Sequence, residues 1–114
     1  MQDAPKTARR REREKRVISQ MVCIYCAGNH ADDERTERAH CGEMACPACK
    51  ELDDYAVLRT QRCRKMDVKT SCDACANQCY APAMRERIRA VMRYAGPRMI
   101  TTHPIAAVRH LLGR

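Results

Sequence analysis

The density of thiols constrains the fold of this chain more than any other feature of its sequence. Nine cysteines occur in 114 residues, and three of them, Cys72, Cys75 and Cys79, lie within one short stretch. A Cys-x2-Cys pair lets two sulfurs face one centre from a tight turn, and a cysteine four residues further along a helix adds a third. Together with Cys63, the stretch predicts a four-thiolate metal site of spacing Cys-x8-Cys-x2-Cys-x3-Cys.

The remaining cysteines and one histidine provide a second candidate set of ligands. Cys26, His30, Cys46 and Cys49 follow the pattern Cys-x3-His-x15-Cys-x2-Cys. On a helix, Cys26 and His30 lie on the same face because they are four residues apart. Three thiolates and one imidazole are a common closed coordination of structural zinc. The sequence therefore predicts two metal sites.

The spacing leaves the pairing of ligands and the identity of the metal open. In a cross-braced arrangement, Cys46 and Cys49 share one ion with Cys75 and Cys79 instead. Zinc and a [4Fe-4S] cluster both accept four protein ligands of this kind. A single buried cysteine is also an ordinary small apolar residue, but paired Cys-x2-Cys motifs make packing alone a poor explanation of the whole set.

Disulfide bonds are the alternative use of so many cysteines, and they require an oxidising compartment. Residues 1–16 are densely charged, and the apolar run 17–27 is short and is interrupted by Ser19 and Gln20. This pattern is not that of a signal peptide, and the run is too short to span a bilayer. We therefore expect a cytoplasmic protein with reduced thiols and no membrane contact.

The composition predicts that apolar burial contributes little to the fold. There is no Trp or Phe, only four Tyr, and charged residues make up 32% of the chain. A small core of this kind needs metal ions or another cross-link to hold it together. We expect residues 1–8 to form a disordered tail and residues 9–114 to form one metal-binding helical domain.

Apolar periodicity predicts helices and no strands. Pro47 and Pro82 are placed to begin helices, since proline suits the first helical position, while Gly96-Pro97 is a stop signal. The polar segment 31–44 has no period and predicts a surface loop. We expect an all-α fold of four short helices joined by cysteine-rich metal-binding turns, with little or no β structure. The predicted helices are 9–29, 47–63, 82–96 and 104–112.

Several other residues are weaker candidates for a functional role. Cys23 also pairs with Cys26 at Cys-x2-Cys spacing, but two such sulfurs converge poorly on a regular helix. His40 and Cys41 lie in the predicted loop, where solvated residues are the simpler interpretation. The candidates for an enzyme are His103, His110 and the group of Arg93, Tyr94 and Arg98. The chain has no nucleophile elbow, phosphate loop or paired carboxylates, so whether it is an enzyme stays open.

The charge distribution allows a polyanionic partner. Residues 80–114 carry seven basic residues against one acidic residue, and residues 1–16 carry seven against three. Arginine-rich helices of this kind can contact nucleic acid or an acidic protein. They also serve solubility, because long arginine stems cover helix surfaces.

Particular motifs of the chain resemble a known family. The specific ones are Cys79-Tyr80-x-Pro82 after the Cys-x2-Cys pair, and the run Met92-Arg93-Tyr94-Ala95-Gly96-Pro97-Arg98-Met99. With these motifs the chain resembles the bacterial nitrous oxide-stimulated promoter proteins. The resemblance implies a small cytoplasmic protein expressed under nitrogen-oxide stress, and it implies no known reaction. Cys23 and Cys41 are additional to that family pattern.

The function that the resemblance favours is that of a metal- or iron-sulfur-binding accessory protein in the response to nitrosative stress. Thiolate-bound metals are chemically suited to this role, since nitric oxide and related species attack both the sulfur and the metal. The alternative is a structural-zinc module that binds nucleic acid or regulates a partner through its arginine-rich termini.

Overall fold

Three helices make up most of the computed structural model, which describes residues 4–63, 81–105 and 108. They are α1 (Pro5–Asn29), α2 (Pro47–Gln61) and α3 (Pro82–Thr102). Between α1 and α2 the chain forms a 3-10 turn, Asp32–Glu34, and a small antiparallel hairpin of β1 (Glu37–Arg38) and β2 (Met44–Ala45). The mostly helical class that the sequence predicts is confirmed.

A proline begins each of the three helices. Pro5, Pro47 and Pro82 occupy the first turn, where the missing N–H has no partner in any helix and the fixed φ angle is already helical. The predicted starts of α2 and α3 are therefore confirmed. α1 begins at Pro5 rather than at Arg9, so residues 5–8 are helical in the structure.

The segment predicted as a loop contains the hairpin. Glu37 pairs with Ala45 and Arg38 with Met44. In the connecting turn, Gly42 has φ of 96°, a left-handed conformation that residues with a Cβ rarely adopt. Strands of two residues are too short to show apolar alternation, so no sequence pattern predicts them.

The predicted end of the third helix at Pro97 is wrong. α3 runs through Pro97 to Thr102, although proline removes one helical hydrogen bond and crowds the preceding turn. Ala95 and Met99, on either side of Pro97, are both buried, and they continue the stripe formed by Ile88 and Val91. Burial of this continuous face against the rest of the protein explains why the helix does not stop.

The predicted fourth helix lies largely outside the described residues. Pro104, Ile105 and Val108 have helical backbone, and His103 separates them from α3. Within the described ranges, three helices rather than four are therefore complete. None of the helices in those ranges combines the length and the apolar composition that crossing a bilayer requires.

The core lies where α1 packs against both α2 and α3, with α1–α2 as the more extensive interface. Its largest fully buried apolar side chains are Leu52 and Val22, with Val91 from α3. Four cysteines are also part of it, each less than 5% exposed: Cys23, Cys26, Cys46 and Cys49. Four thiols are thus part of the apolar core, since free cysteine is among the residue types most often fully buried.

Candidate metal centre

Four side chains from two helix ends converge at one point. Cys26 is in the last turn of α1 and His30 caps that helix, while Cys46 and Cys49 are at the beginning of α2. Their candidate ligand atoms all lie within 4.8 Å of one another. The Nδ1 atom of His30 is 3.4 Å from the Sγ atoms of both Cys46 and Cys49. The structure therefore brings together one complete set of predicted ligands.

The local backbone explains how the two ends present these groups. The N–H of His30 donates to the carbonyl of Cys26 at 2.9 Å, which holds the imidazole one turn beyond the thiol. Cys46 is the N-cap of α2, and the N–H of Cys49 donates to its sulfur at 3.4 Å. The N–H of Cys46 in turn donates to Sγ of Cys26 at 3.2 Å, which links the two helix ends directly.

The dimensions of the group fit a single tetrahedral ion. With Zn–S of about 2.3 Å and Zn–N of about 2.0–2.1 Å, a sulfur and a nitrogen ligand lie about 3.6 Å apart and two sulfurs about 3.8 Å apart. The observed 3.4 Å sulfur–nitrogen distances are close to these values. The three sulfurs are buried and His30 is half-buried, so the donor set is closed to bulk water on its sulfur side.

The thiols of this group have unequal acidities. Burial raises the pKa of Cys46, but hydrogen bonds from the Cys49 N–H, from the Cys49 and Cys26 thiols and from the Ala48 N–H outweigh it. The pKa of Cys46 is therefore lowered. Burial and the neighbouring sulfurs of Cys46 and Cys26 raise the pKa of Cys49. Closely spaced thiolates repel one another, so full ionisation of the set needs a cation among them.

Aromatic side chains outside the four-ligand group pack beside the imidazole of His30. The ring of Tyr25 meets that of His30 edge to face at 6.0 Å, and it meets the ring of Tyr94 in the same way at 5.8 Å. The guanidinium of Arg98 lies 3.7 Å from the centre of the Tyr94 ring. Tyr25 has the spacing of an apolar residue of α1, and no spacing rule links it to Tyr94.

Of the four ligands predicted for the other metal site, only Cys63 is among the described residues. Cys63 is half-buried just beyond α2, and its carbonyl accepts a hydrogen bond from Nη1 of Arg11 at 2.8 Å. Cys72, Cys75 and Cys79 lie outside the described residues. The four-thiolate site and the cross-braced alternative therefore stay predictions, although Cys46 and Cys49 are the pair that lies beside Cys26 and His30.

The weaker candidates lie outside the metal group. Cys23 is buried, and its Sγ is 3.8 Å from that of Cys41. Cys41 is half-buried against α1, so its interpretation as a solvated loop residue is wrong, whereas His40 is exposed. His103 caps α3, with Nε2 3.7 Å from a carboxylate oxygen of Glu43.

Two arginines of α3 bind groups of the protein itself. Arg87 donates to the carbonyl of Ala48 at 2.9 Å and pairs with Glu51 at 3.2 Å, which ties α3 to α2. Arg98 donates to the carbonyl of Tyr94 at 2.7 Å and stacks on its ring. These contacts account for part of the basic character of α3 without a polyanionic partner.

The described residues define a small, mostly helical protein with a Cys3His group that could hold a metal ion. The family model described as nitrous oxide-stimulated promoter matches residues 9–114, and the chain belongs to this family. The resemblance noted from its motifs is thereby confirmed. A relative from Escherichia coli (strain K12), "Uncharacterized protein YgbA", is 36% identical over 109 residues, which cover 93% of this chain and 82% of the relative. No solved structure matches the chain significantly.

Proposed function

We propose that Cys26, His30, Cys46 and Cys49 bind one Zn²⁺ ion that fastens the end of α1 to the start of α2. The observation that carries the proposal is the approach of all four ligand atoms to within 4.8 Å of one another. A closed set of three thiolates and one imidazole stabilises a fold and leaves no open position for a substrate. The ion would therefore act as a structural cross-link in a chain without Trp or Phe.

One Zn²⁺ ion suits this group better than a four-iron cluster because the ligand atoms lie close together. Ligands of a [4Fe-4S] cluster bind four different irons, so they stand further apart than ligands that share one ion. The 3.4 Å distances from His30 to two sulfurs suit the smaller centre. The cluster remains a candidate for Cys63, Cys72, Cys75 and Cys79, which spacing alone predicts.

At the level of the cell, we infer a cytoplasmic accessory protein in the response to nitrogen oxides. The description of the family supports this role. The chemistry is consistent with it, because thiolate sulfurs bound to zinc react with nitric oxide-derived species and then lose affinity for the metal. Cys26, Cys46 and Cys49 would be the sulfurs that respond.

The zinc site is tested by comparing two histidine variants. Zinc bound per chain is measured by native mass spectrometry and elemental analysis on full-length protein purified without oxygen. His30→Ala removes one ligand and is expected to lower zinc affinity at least tenfold. His40→Ala is the matched control, since its exposed ring lies outside the group. Equal zinc retention by His30→Ala and wild type would overturn the assignment.

The structural role is tested by removing the metal. Metal binding in small zinc domains contributes on the order of 10 kcal/mol to folding, so complete chelation is expected to reduce helicity measured by far-ultraviolet circular dichroism. Readdition of zinc should restore it. An unchanged spectrum of the metal-free chain would show that the apolar core folds without the ion.

The link to nitrogen oxides needs a separate measurement. S-nitrosoglutathione, added without oxygen, is expected to transfer its nitroso group to a zinc-bound thiolate and to leave as glutathione. The modified sulfur binds zinc weakly, so zinc should be released from the wild-type protein and detected with a chromogenic chelator, whereas reduced glutathione alone should release none. Retention of zinc under these conditions would contradict the stress role and would leave the zinc site itself intact as a conclusion.

A further inference from the structure

A second pair of thiols lies apart from the metal group. Cys23 is on α1, one turn before Cys26, and Cys41 is in the turn between β1 and β2. Their Sγ atoms are 3.8 Å apart. A carboxylate oxygen of Glu43 lies 3.7 Å from Sγ of Cys41, but within residues 4–63 and 81–105 it does not complete a second group of three metal ligands. Two close thiols outside a metal group are suited to redox chemistry.

We propose that Cys23 and Cys41 form a redox-active dithiol that low-molecular-weight disulfides oxidise to an intramolecular disulfide, with Cys41 as the attacking thiolate and Cys23 as the resolving thiol. This function is independent of the proposed zinc site.

Hydrogen bonds from the hairpin turn to two helices hold Cys41 close to Cys23. The N–H of Cys41 donates to the hydroxyl of Ser19 on α1 at 3.0 Å. The N–H of the preceding residue, His40, donates to Oδ2 of Asp53 on α2 at 3.0 Å. Both acceptors are fully buried. The turn that carries Cys41 is thus fixed to the core rather than free in solvent, and the approach of the two sulfurs is built into the fold.

The two thiols differ in access to solvent, which assigns their order of reaction. Cys23 is 1% exposed, whereas Cys41 is half-buried. A dissolved disulfide can therefore reach Cys41 first. A disulfide bond is about 2.0 Å long, so the buried sulfur of Cys23 can then reach Cys41 by small side-chain movements.

The protonation states suit the same order. A hydrogen bond from the thiol of Cys23 lowers the pKa of Cys41 to about 6, and hydrogen bonds from the Ser19 hydroxyl and the Glu43 N–H act in the same direction. Burial and the Glu43 carboxylate raise the pKa of Cys41, but by less. The hydrogen bond to Cys41 and then burial raise the pKa of Cys23. Near neutral pH, Cys41 is the thiolate and Cys23 holds the proton.

The proposed reaction proceeds by two exchanges. The Cys41 thiolate attacks one sulfur of the external disulfide RS–SR, forming Cys41–S–SR and releasing RS⁻. The sulfur of Cys23 then attacks Sγ of Cys41 and expels the second RS⁻, which takes up the proton of Cys23 and leaves as RSH. Overall, two protein thiols lose two electrons and two protons, and one external disulfide becomes two thiols.

The test uses full-length, zinc-loaded protein and oxidised glutathione as the probe. Mixtures of reduced and oxidised glutathione are applied, free thiols are then blocked with N-ethylmaleimide, and peptides are mapped by mass spectrometry. The expected result is a Cys23–Cys41 linkage, with a loss of two hydrogens, that forms at a lower proportion of oxidised glutathione than any other linkage. Earlier formation of another cysteine pair, or a Cys41 that stays reduced, would overturn the proposal.

Two matched serine variants separate the roles of the pair. Cys23→Ser removes the resolving thiol and is expected to accumulate glutathione on Cys41, raising the mixed disulfide at least tenfold over wild type. Cys41→Ser is expected to leave buried Cys23 unmodified. Glutathione on Cys23 rather than Cys41 would reverse the assignment and refute it. Since the mapping of wild-type protein needs no substitution, the proposal stays testable if either variant fails to fold.

Discussion

The phenol of Tyr94 on α3 occupies the space in which Gly28 on α1 would carry a side chain. A Cβ built at Gly28 would clash with the phenol oxygen and lie 2.5 Å from Cζ of the ring. Tyr25 contacts both Tyr94 and His30 edge to face. Because Gly28 is two residues before His30, this close approach lets α3 support the end of α1 that presents the imidazole.

Substituting Gly28 should therefore destabilise the protein. Gly28→Ala overpacks the contact with Tyr94, and we expect a loss of about 1–3 kcal/mol in the free energy of unfolding, measured by urea denaturation at saturating zinc. Gly96→Ala is the control, since no atom from another part of the described chain lies within 4 Å of its Cβ position on α3. We expect that variant to be neutral or more stable by up to about 1 kcal/mol. Equal effects of the two substitutions would contradict the close approach.

Much of the metal group was accessible from sequence because its ligands follow local geometry. Cys26 and His30 are four residues apart on a helix, and Cys46 and Cys49 flank Pro47 at a helix start. Local rules of this kind do not depend on the tertiary fold. These local rules do not predict that the two helix ends approach each other, because that approach depends on the hairpin and on packing between α1 and α2.

The features that sequence missed depend on contacts between distant segments. Tyr94 lies beside Tyr25 because α3 packs on α1, and Cys41 faces Cys23 because the hairpin turn is bonded to Ser19. No period or spacing encodes either contact. At Pro97 the prediction was wrong for a different reason. The local sequence is a strong helix stop signal, but burial of the helix face around Pro97 keeps the helix intact.

The continuation of α3 through Pro97 has a measurable consequence. Proline in a helix interior costs about 3 kcal/mol relative to alanine, partly offset because proline also restricts the unfolded chain. We expect Pro97→Ala to raise the free energy of unfolding by about 1–3 kcal/mol, through a new N–H bond to the carbonyl of Arg93. Thermal and urea denaturation would measure it. A destabilised variant would indicate that the helix ends near Gly96 after all.

The buried carboxylate of Asp53 offers a test of how the hairpin is attached to α2. Its Oδ2 accepts the N–H of His40, and its Oδ1 has no hydrogen-bond partner among the described residues. Asp53→Ala leaves that N–H unpaired, and we expect a loss of about 1–3 kcal/mol. Asp53→Asn keeps the acceptor and should cost less.

The neighbouring Asp54 provides the control for this measurement. It is exposed and pairs with Lys50 at 2.6 Å, and surface ion pairs contribute about 1 kcal/mol or less. Asp54→Ala should therefore change the urea midpoint much less than Asp53→Ala does. A larger effect at Asp54 than at Asp53 would show that the buried hydrogen bond does not hold the turn.

The acidity of Cys41 predicts how its reactivity depends on pH. Thiolates react with iodoacetamide and thiols do not, so the alkylation rate of Cys41 should rise as pH increases through about 6 and stay constant above it. An ordinary cysteine shows the rise near pH 8.5, at about its usual pKa. Peptide-resolved mass spectrometry of briefly alkylated, zinc-loaded protein measures the profile.

The groups around Cys41 determine the direction of the shift and supply its control. Cys23 donates to it from α1, the carboxylate of Glu43 opposes its ionisation, Asp53 holds the turn from α2, and His103 lies beside Glu43. Cys23→Ala removes the largest stabilising hydrogen bond, so the midpoint of Cys41 alkylation should move to higher pH. A wild-type midpoint near that of free cysteine, or one that Cys23→Ala leaves unchanged, would mean that the two sulfurs do not share a proton.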